Sequence, residues 1–553
     1  MATGIIECVP NFSEGRDMIV IGQITGVIES VRGIKLLGVD PGYDTNRTVV
    51  TFVGDPDAVS EAAFLAVKKA AEVIDMSKHH GAHPRMGATD VCPFIPVSGI
   101  SMDETAEVAR KVAQRIGTEL HIPVYCYERA AFEERRKNLA ECREGEYEGL
   151  EKKLADPLWK PDFGPAVFNG RTGATAVGAR DFLVAFNVNL NTTSVRRANA
   201  IAFDLREKGR IIRDESGNET NVPGSLKNVK AIGWYIEEYG IAQISMNLTD
   251  ISVTPVHVAF DEACRKADLR GIRVTGSELV GLIPLKAMLE AGKHYLHKQH
   301  RSTGVPDSEL IRIAVKSMGL DEIQPFIPGE KIIEYIMENR DNNKLAEESL
   351  KGFMESTASE APVPGGGSVS AYMAALGVAL GTMVANLSSH KKGWDGRWKE
   401  FSDWAERGKE LQNRLLDLVD RDAGAYKDLM KAYTLPGKPD VEKRKREEEI
   451  QAATKNAVLV PFEVMETAYR GFDLLRQMAE KGNPNSVTDA GVGALALRSG
   501  ISGALLNIKI NVAGLHDEDF KKNILKKAEI IESGAILEER SILAIVGSVI
   551  QKK

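Results

Sequence analysis

Cysteine is scarce. The 553 residues hold five, Cys8, Cys92, Cys126, Cys142 and Cys264, an odd and scattered set with none in the second half. That excludes a disulfide framework and a cysteine-based zinc site, and it suits a reducing compartment. A dominant charge is missing too. A net charge of -7 with a pI near 5.9 gives no global attraction to nucleic acid or to an anionic membrane, so no nucleic-acid partner is expected. The opening MATGIIECVPNF lacks the basic start and apolar run of a secretory signal, and a cytoplasmic location is expected. Long hydrophobic runs are few. The strongest, SVSAYMAALGVALGTMVANLS from Ser368 to Ser388, reaches the ~20 residues that cross a bilayer. It is rich in Ala and Gly, carries Asn386 and several hydroxyls, and reads without a second span to accompany it. It is expected to be a buried, closely packed helix with no membrane insertion. What remains is ordinary, 43% apolar and 27% charged, and a chain of this length divides into several compact units.

The first third alternates strand and helix patterns. IIECVPNF, IKLLGVD, RTVVTFVG and DVCPFIPV read as strands. Met18 to Ser30 and Asp57 to Ile74 have helical apolar spacing, with Asp57 as the helix start. The order is β-α-β-β-α-β. FLVAFNVNL, a helix from Ser194 to Glu207, NVKAIGWYI, IAQISMNL, a helix opening at Thr254-Pro255 and RVTG repeat it. This predicts two α/β subdomains of ferredoxin-like type, residues 1–180 and 181–327, with a ligand cleft where they face each other. A helical connector, 328–344, leads to an all-helical bundle, 345–553.

In KHHGAHPRMGATD, His79 and His83 stand four apart, a spacing that on a helix would let both hold a metal. Gly81 and Pro84 oppose a helix there, and no metal is expected. A loop His followed by Pro, Arg and Gly suits proton transfer, because imidazole titrates near neutral pH. Asp40, closing IKLLGVD, is the partner that would fix its tautomer; an Asx turn at Asp40 with a plain surface His83 is the competing account. The Gly-rich segment Asp162 to Arg180 lacks the Rossmann spacing and a Walker lysine, so nucleotide binding is not indicated. It is either a flexible joint or a loop whose bare backbone approaches a flat ligand.

In the second half, Leu411, Leu415, Leu418, Val419, Tyr426, Leu429 and Tyr433 mark an apolar stripe. Asp422 falls inside it, while Asp420 turns to the wet face. A carboxylate on a buried stripe must be paired, hydrogen-bonded or protonated, which makes Asp422 an acid/base candidate beside a purely structural alternative. PVPGGGS brings the bare backbone of Gly365, Gly366 and Gly367 to a helix start, with Ser368 as a candidate N-cap. Ser486 and Asp489 fit a capping box. EKRKREEE, Glu442 to Glu449, reads as a solvated helix face.

ECVPNFSEG, NRTVVTFVG, HPRMGATDVCPFIPV, DFGPAVFNGRTGATAVGAR, IGWYIEEYGIAQISMNL and SELVGLIPLKAML, in order, resemble the formiminotransferase domain of the formiminotransferase-cyclodeaminase family. APVPGGGSVSA, LVDRDAGAY, GNPNSVTDAG and GALLNIKIN are similar to its cyclodeaminase domain. By that resemblance His83 falls on the transferase histidine, Asp40 on the acidic residue beside it, and Asp422 on the cyclodeaminase aspartate. Gly164, Pro165, Phe168, Gly170 and Gly173 fall in the folate-binding loop, and Gly365 to Gly367 become second-site folate contacts. The resemblance implies formimino transfer from N-formimino-L-glutamate to tetrahydrofolate, the folate substrate being polyglutamylated, then cyclisation with ammonia release. A methenyltetrahydrofolate cyclohydrolase-type second domain is the alternative. It further implies small-molecule substrates and self-association to dimers and a homo-octamer.

Overall fold

The computed structural model describes the chain except residues 1–3, 44–45, 82–83, 214–218, 338–343, 437–439 and 553, with no side-chain account of residues 440–441. His83 and part of the expected connector therefore lie outside the described residues. Two compact units emerge, Met1–Met288 with Met318–Glu338, and Leu289–Ser317 with Asn339–Lys553. Residues 289–317, read from sequence with the second α/β subdomain, thus pack in the helical unit.

The first unit opens with a seven-stranded mixed sheet: β1 Ile5–Cys8, β2 Asn11–Phe12, β3 Lys35–Gly42, β4 Arg47–Gly54, β5 Thr89–Ser98, β6 Val124–Glu128 and β7 Thr175–Ala179. β3 pairs with β4, β1 lies between β4 and β5, and β7 and β6 extend the sheet in parallel from β5. The β-branched run of RTVVTFVG suits the central β4. Helices α1 Met18–Glu29, α2 Pro56–Val73 and α3 Met102–Glu119 supply Ile24, Ile28, Val59, Ala62, Ala66 and Ala109 to one core with Ile6, Cys8, Val50, Phe52 and Phe94. Asp55, not Asp57, caps α2: its side chain accepts from the Asp57 and Ala58 amides, and Pro56 takes the first helical position. The four strands read from sequence are present, but β6, β7 and α3 carry the sheet further than that reading.

Strand alternation then decides what the other face holds. Ile6, Cys8, Val50 and Phe52 turn to the helices, so Glu7, Thr51 and Val53 turn away from them. A register shift between Leu36 and Gly38 brings Gly38 opposite Thr51 and Asp40 opposite Val49. Both share the sheet face opposite α1–α3.

The second sheet has β8 Val184–Leu190 at its centre, paired with β10 Ile241–Leu248 and β11 Val274–Val280, and β9 Val229–Ile236 outside β10. α4 Val195–Leu205 and α5 Val256–Asp268 complete this layer; Phe260 of α5 meets Phe186 edge-on. Ser194 caps α4 through the Arg197 amide.

The second unit is helical: α6 Gly366–Ser389, α7 Trp398–Tyr433, α8 Asp440–Lys481, α9 Val487–Val512 and α10 Glu518–Gln551. α6 is apolar enough to span a bilayer, and so, against the sequence reading, is the stretch Pro484–Val512; most of the apolar window of α6 and half of the other are buried within the protein. Small residues let the two helices meet backbone to backbone: a Cβ on Gly377 would lie 2.8 Å from the Gly493 carbonyl oxygen. Ser486 precedes α9 without a side-chain capping bond, so the expected capping box is not formed.

Candidate functional site

In the first unit the β3–β4 hairpin, the KHHG segment and the turn that follows β2 converge through Asn46. This residue adopts φ 48°, a left-handed conformation that Asn tolerates better than most. Its side-chain oxygen accepts from the Gly15 amide at 3.0 Å, its side-chain nitrogen donates to the His80 carbonyl at 3.1 Å, and its own carbonyl accepts from His79 Nε2 at 2.8 Å. His79 is buried, and Arg85 Nε donates to its Nδ1 at 3.3 Å. A carbonyl only accepts and a guanidinium only donates, so His79 is the neutral Nε2–H tautomer with neither nitrogen left for a metal. Burial lowers its pKa. Arg85 in turn is held by Glu148 through two bonds of 2.8 and 2.7 Å. The three histidines are therefore unlike: His79 is structural, His80 is exposed, and His83 lies outside the described residues.

Below them sits a charge cluster that the sequence reading missed. Asp90 is fully buried, accepts the Met86 amide at 3.1 Å and pairs with Arg143 at 2.5 Å and Arg47 at 3.3 Å. Arg47 also donates to Asn11, and burial pushes its pKa down to about 10. Two guanidinium groups thus share one buried carboxylate. Asp40 is exposed on edge strand β3, on the same sheet face as Asn11. Arg143 lies in an unpatterned segment 53 residues from Asp90, and nothing local in the sequence ties the two.

The Gly-rich loop is docked on this segment. Gly173 has φ +65°, and a Cβ there would lie 2.1 Å from the Met86 carbonyl oxygen, while Gly87 bridges to Gly173. The Ala88 amide donates to the Thr172 carbonyl at 2.8 Å, and Ala174 donates back to Met86 at 3.1 Å. Close backbone approach accounts for this glycine. The Tyr147 hydroxyl donates to the Gly170 carbonyl, and Phe168 rests on the Tyr147 ring at 5.5 Å. Gly164 and Pro165 are exposed.

Glu7, the second missed group, is 7% exposed on the sheet face opposite α1–α3 and lines a cavity of about 260 Å³ with Arg180. A charged residue inside the apolar strand IIEC was its signal. Burial pushes its carboxyl up to about 7, and Arg180 opposes this. The folded pKa exceeds the unfolded one, so ionisation costs stability as pH rises past the unfolded value, fully so above about 7. Glu7→Gln is thus expected to stabilise the protein by on the order of 3 kcal/mol at pH 8 and under about 1 kcal/mol at pH 5. Equal shifts in thermal melts at both pH values would refute this.

In the helical unit Asp422 of α7 faces the first turn of α6. Helix α6 begins after Gly365, so Ser368 is not its N-cap. Buried Ser368 instead places its Oγ 3.0 Å from Asp422 Oδ2 and 3.0 Å from the Val419 carbonyl oxygen. A Cβ on Gly367 would lie 2.1 Å from Asp422 Oδ1, so the carboxyl rests on the glycine backbone itself. Burial raises the Asp422 pKa, with bonds from Ser368 in opposition. The Asn507 amide of α9 approaches Gly366. Asp420 departs from the wet-face reading: it is half-buried and accepts the Leu345 amide at 2.7 Å. Tyr426 and Tyr433 are exposed, because the stripe drifts off the interface towards the end of the long helix. A larger cavity of about 480 Å³, lined by Asn386, His390 and Lys409, does not include Asp422.

Three family models match the chain: "Formiminotransferase domain, N-terminal subdomain" over residues 5–180, "Formiminotransferase domain" over 185–338, and "Formiminotransferase-cyclodeaminase" over 349–530. The formimidoyltransferase-cyclodeaminase of Mus musculus is 43% identical over 519 residues, 94% of this chain and 94% of that one. A glutamate formimidoyltransferase of Streptococcus pyogenes is 43% identical over 292 residues, 53% of this chain and 93% of that one. A methenyltetrahydrofolate cyclohydrolase of Methylorubrum extorquens is 37% identical over 193 residues, 34% of this chain and 93% of that one. With both halves matched in order along a full-length relative, the chain belongs to the formiminotransferase-cyclodeaminase family.

Proposed function

We propose that the chain transfers the formimino group from N-formimino-L-glutamate to N5 of tetrahydrofolate, releasing glutamate, and then closes 5-formiminotetrahydrofolate to 5,10-methenyltetrahydrofolate with release of ammonia. The observation that carries this is the 43% identity across 94% of both chains with a relative named for both activities. The two steps place the chain in histidine degradation and one-carbon metabolism.

In the transfer step N5 attacks the amidine carbon and loses a proton, and the glutamate nitrogen gains one as its bond to that carbon breaks. His83 carries this proton, and Asp40 orients and supports the imidazolium. Exposure of Asp40 on the sheet face opposite α1–α3 is compatible with its reaching a substrate there. The 164–173 loop holds folate; its docking on Met86 and Gly87 supports a site shared with the histidine segment. In the second step N10 attacks the same carbon and ammonia departs. Asp422 handles the proton at N10 or at the leaving amino group, beside the bare backbone of Gly365 to Gly367.

The strand order β3-β4-β1-β5, repeated as β9-β10-β8-β11 with two helices each, supports the ferredoxin-like reading of both sheets. A 328–344 connector between transferase and cyclodeaminase parts, dimers within a homo-octamer, polyglutamylated folate and cytoplasmic residence complete the proposal.

A coupled assay with formiminoglutamate and tetrahydrofolate, following methenyltetrahydrofolate and ammonia together, is expected to give the two products in equal amounts. The Methylorubrum likeness favours a second reading, a cyclohydrolase-type helical part. Transfer without ammonia, together with interconversion of methenyl- and formyltetrahydrofolate, would establish that reading instead.

A further inference from the structure

Glu7 and Arg180 are explained by none of the roles above. The cavity they line also takes Gly38 and Thr51 from the first sheet and Ala185 and Val280 from the second. Glu7 is 7% exposed, and among the described residues its carboxyl makes no side-chain hydrogen bond or ion pair; the influence of Arg180 reaches it through space alone. The guanidinium of Arg180 is half-buried and donates to the neighbouring Asp181 carbonyl, which leaves further donors for a ligand. A buried carboxyl without donors is costly, and the cost falls when a ligand brings N–H groups to it.

We infer that Glu7 and Arg180 form a substrate subsite for a planar N–C–N donor pair flanked by an oxygen acceptor: Glu7 accepts two parallel N–H bonds, and Arg180 donates to the oxygen. A carboxylate meets such a pair as it meets a guanidinium, in a two-bond fork. The cavity lies at or below the ~300 Å³ lower limit for drug-sized ligands, so it takes a substrate fragment and not a whole folate. Two substrates carry this chemistry. The reduced pterin presents its 2-amino and N3–H groups beside the 4-oxo oxygen, and formiminoglutamate presents its amidinium beside a carboxylate. The inference rests on the proposed function for these ligands. Gly38 stands two residues from Asp40 on the same face of β3, so this wall of the subsite lies about 7 Å along the strand from Asp40.

The test uses the full chain. Titration with 5-formyltetrahydrofolate, a non-transferring folate, and separate KM values for tetrahydrofolate and formiminoglutamate are measured for wild type, Glu7→Gln and Arg180→Lys. The expected result is that both variants weaken one substrate at least tenfold while the other stays within twofold. Loss confined to tetrahydrofolate and 5-formyltetrahydrofolate assigns the pterin; loss confined to formiminoglutamate assigns the amidinium. Unchanged values, or an equal loss for both substrates, overturn the subsite. Should Glu7→Gln fail to fold, Arg180→Lys is read by the same outcomes. A wild-type chain that turns over neither substrate overturns the functional reading along with the subsite, whereas normal wild-type turnover with unaltered variants overturns the subsite alone.

Discussion

Asp422→Asn is expected to stop the second reaction while sparing the first: 5-formiminotetrahydrofolate accumulates, ammonia release falls by about 10²- to 10⁴-fold, and formimino transfer continues. Asparagine keeps the volume that rests on Gly367 and can still accept from Ser368, so the helix contact survives and the loss reports chemistry. The raised pKa of Asp422 sets the sign of the pH dependence. If the carboxylate acts as a base, cyclisation fails as pH falls through its raised pKa. If the acid form donates, cyclisation fails as pH rises through that value. Gly367→Ala gives a second route to the same loss, because the new methyl group would displace the carboxyl from its position on the α6 backbone. A normal ammonia yield from Asp422→Asn would end the assignment.

His83→Asn is expected to have the complementary effect. Transfer falls by about 10²- to 10⁴-fold, while supplied 5-formiminotetrahydrofolate still cyclises. His79 cannot take over. Its two ring nitrogens are committed to Asn46 and Arg85, and burial holds it neutral. Loss of both reactions would indicate a folding defect, and retained transfer would remove His83 from the proton path.

What was legible from sequence follows physical range. Periodicity found the strands RTVVTFVG and IAQISMNL and the helices over 18–29 and 195–205, because those patterns are local. Asp422 was legible because an ionisable group on an apolar stripe is anomalous within a few turns of helix. Glu7 is the same anomaly in a strand, but one charged residue among four is too short a pattern to weigh. The Asp90 cluster joins β4, β5 and a segment far along the chain, so its partners exist only once the sheet has formed. Asp420 was misread because a helical wheel marks the face that meets other helices, whereas the chain at Leu345 returns to cover a different one. Gly173 drew attention as a ligand contact, and its conformation is already required by the Met86 backbone.

The hydroxyl of Ser368 has one hydrogen and two acceptors at equal range, Asp422 Oδ2 and the Val419 carbonyl. When Asp422 is ionised, the hydroxyl serves the carboxylate. When Asp422 holds a proton, that proton can point to Oγ while the hydroxyl turns to Val419. Rotation about a single C–O bond thus matches the surroundings to either protonation state, which suits the proton-handling role proposed for the aspartate without any movement of the helices around it.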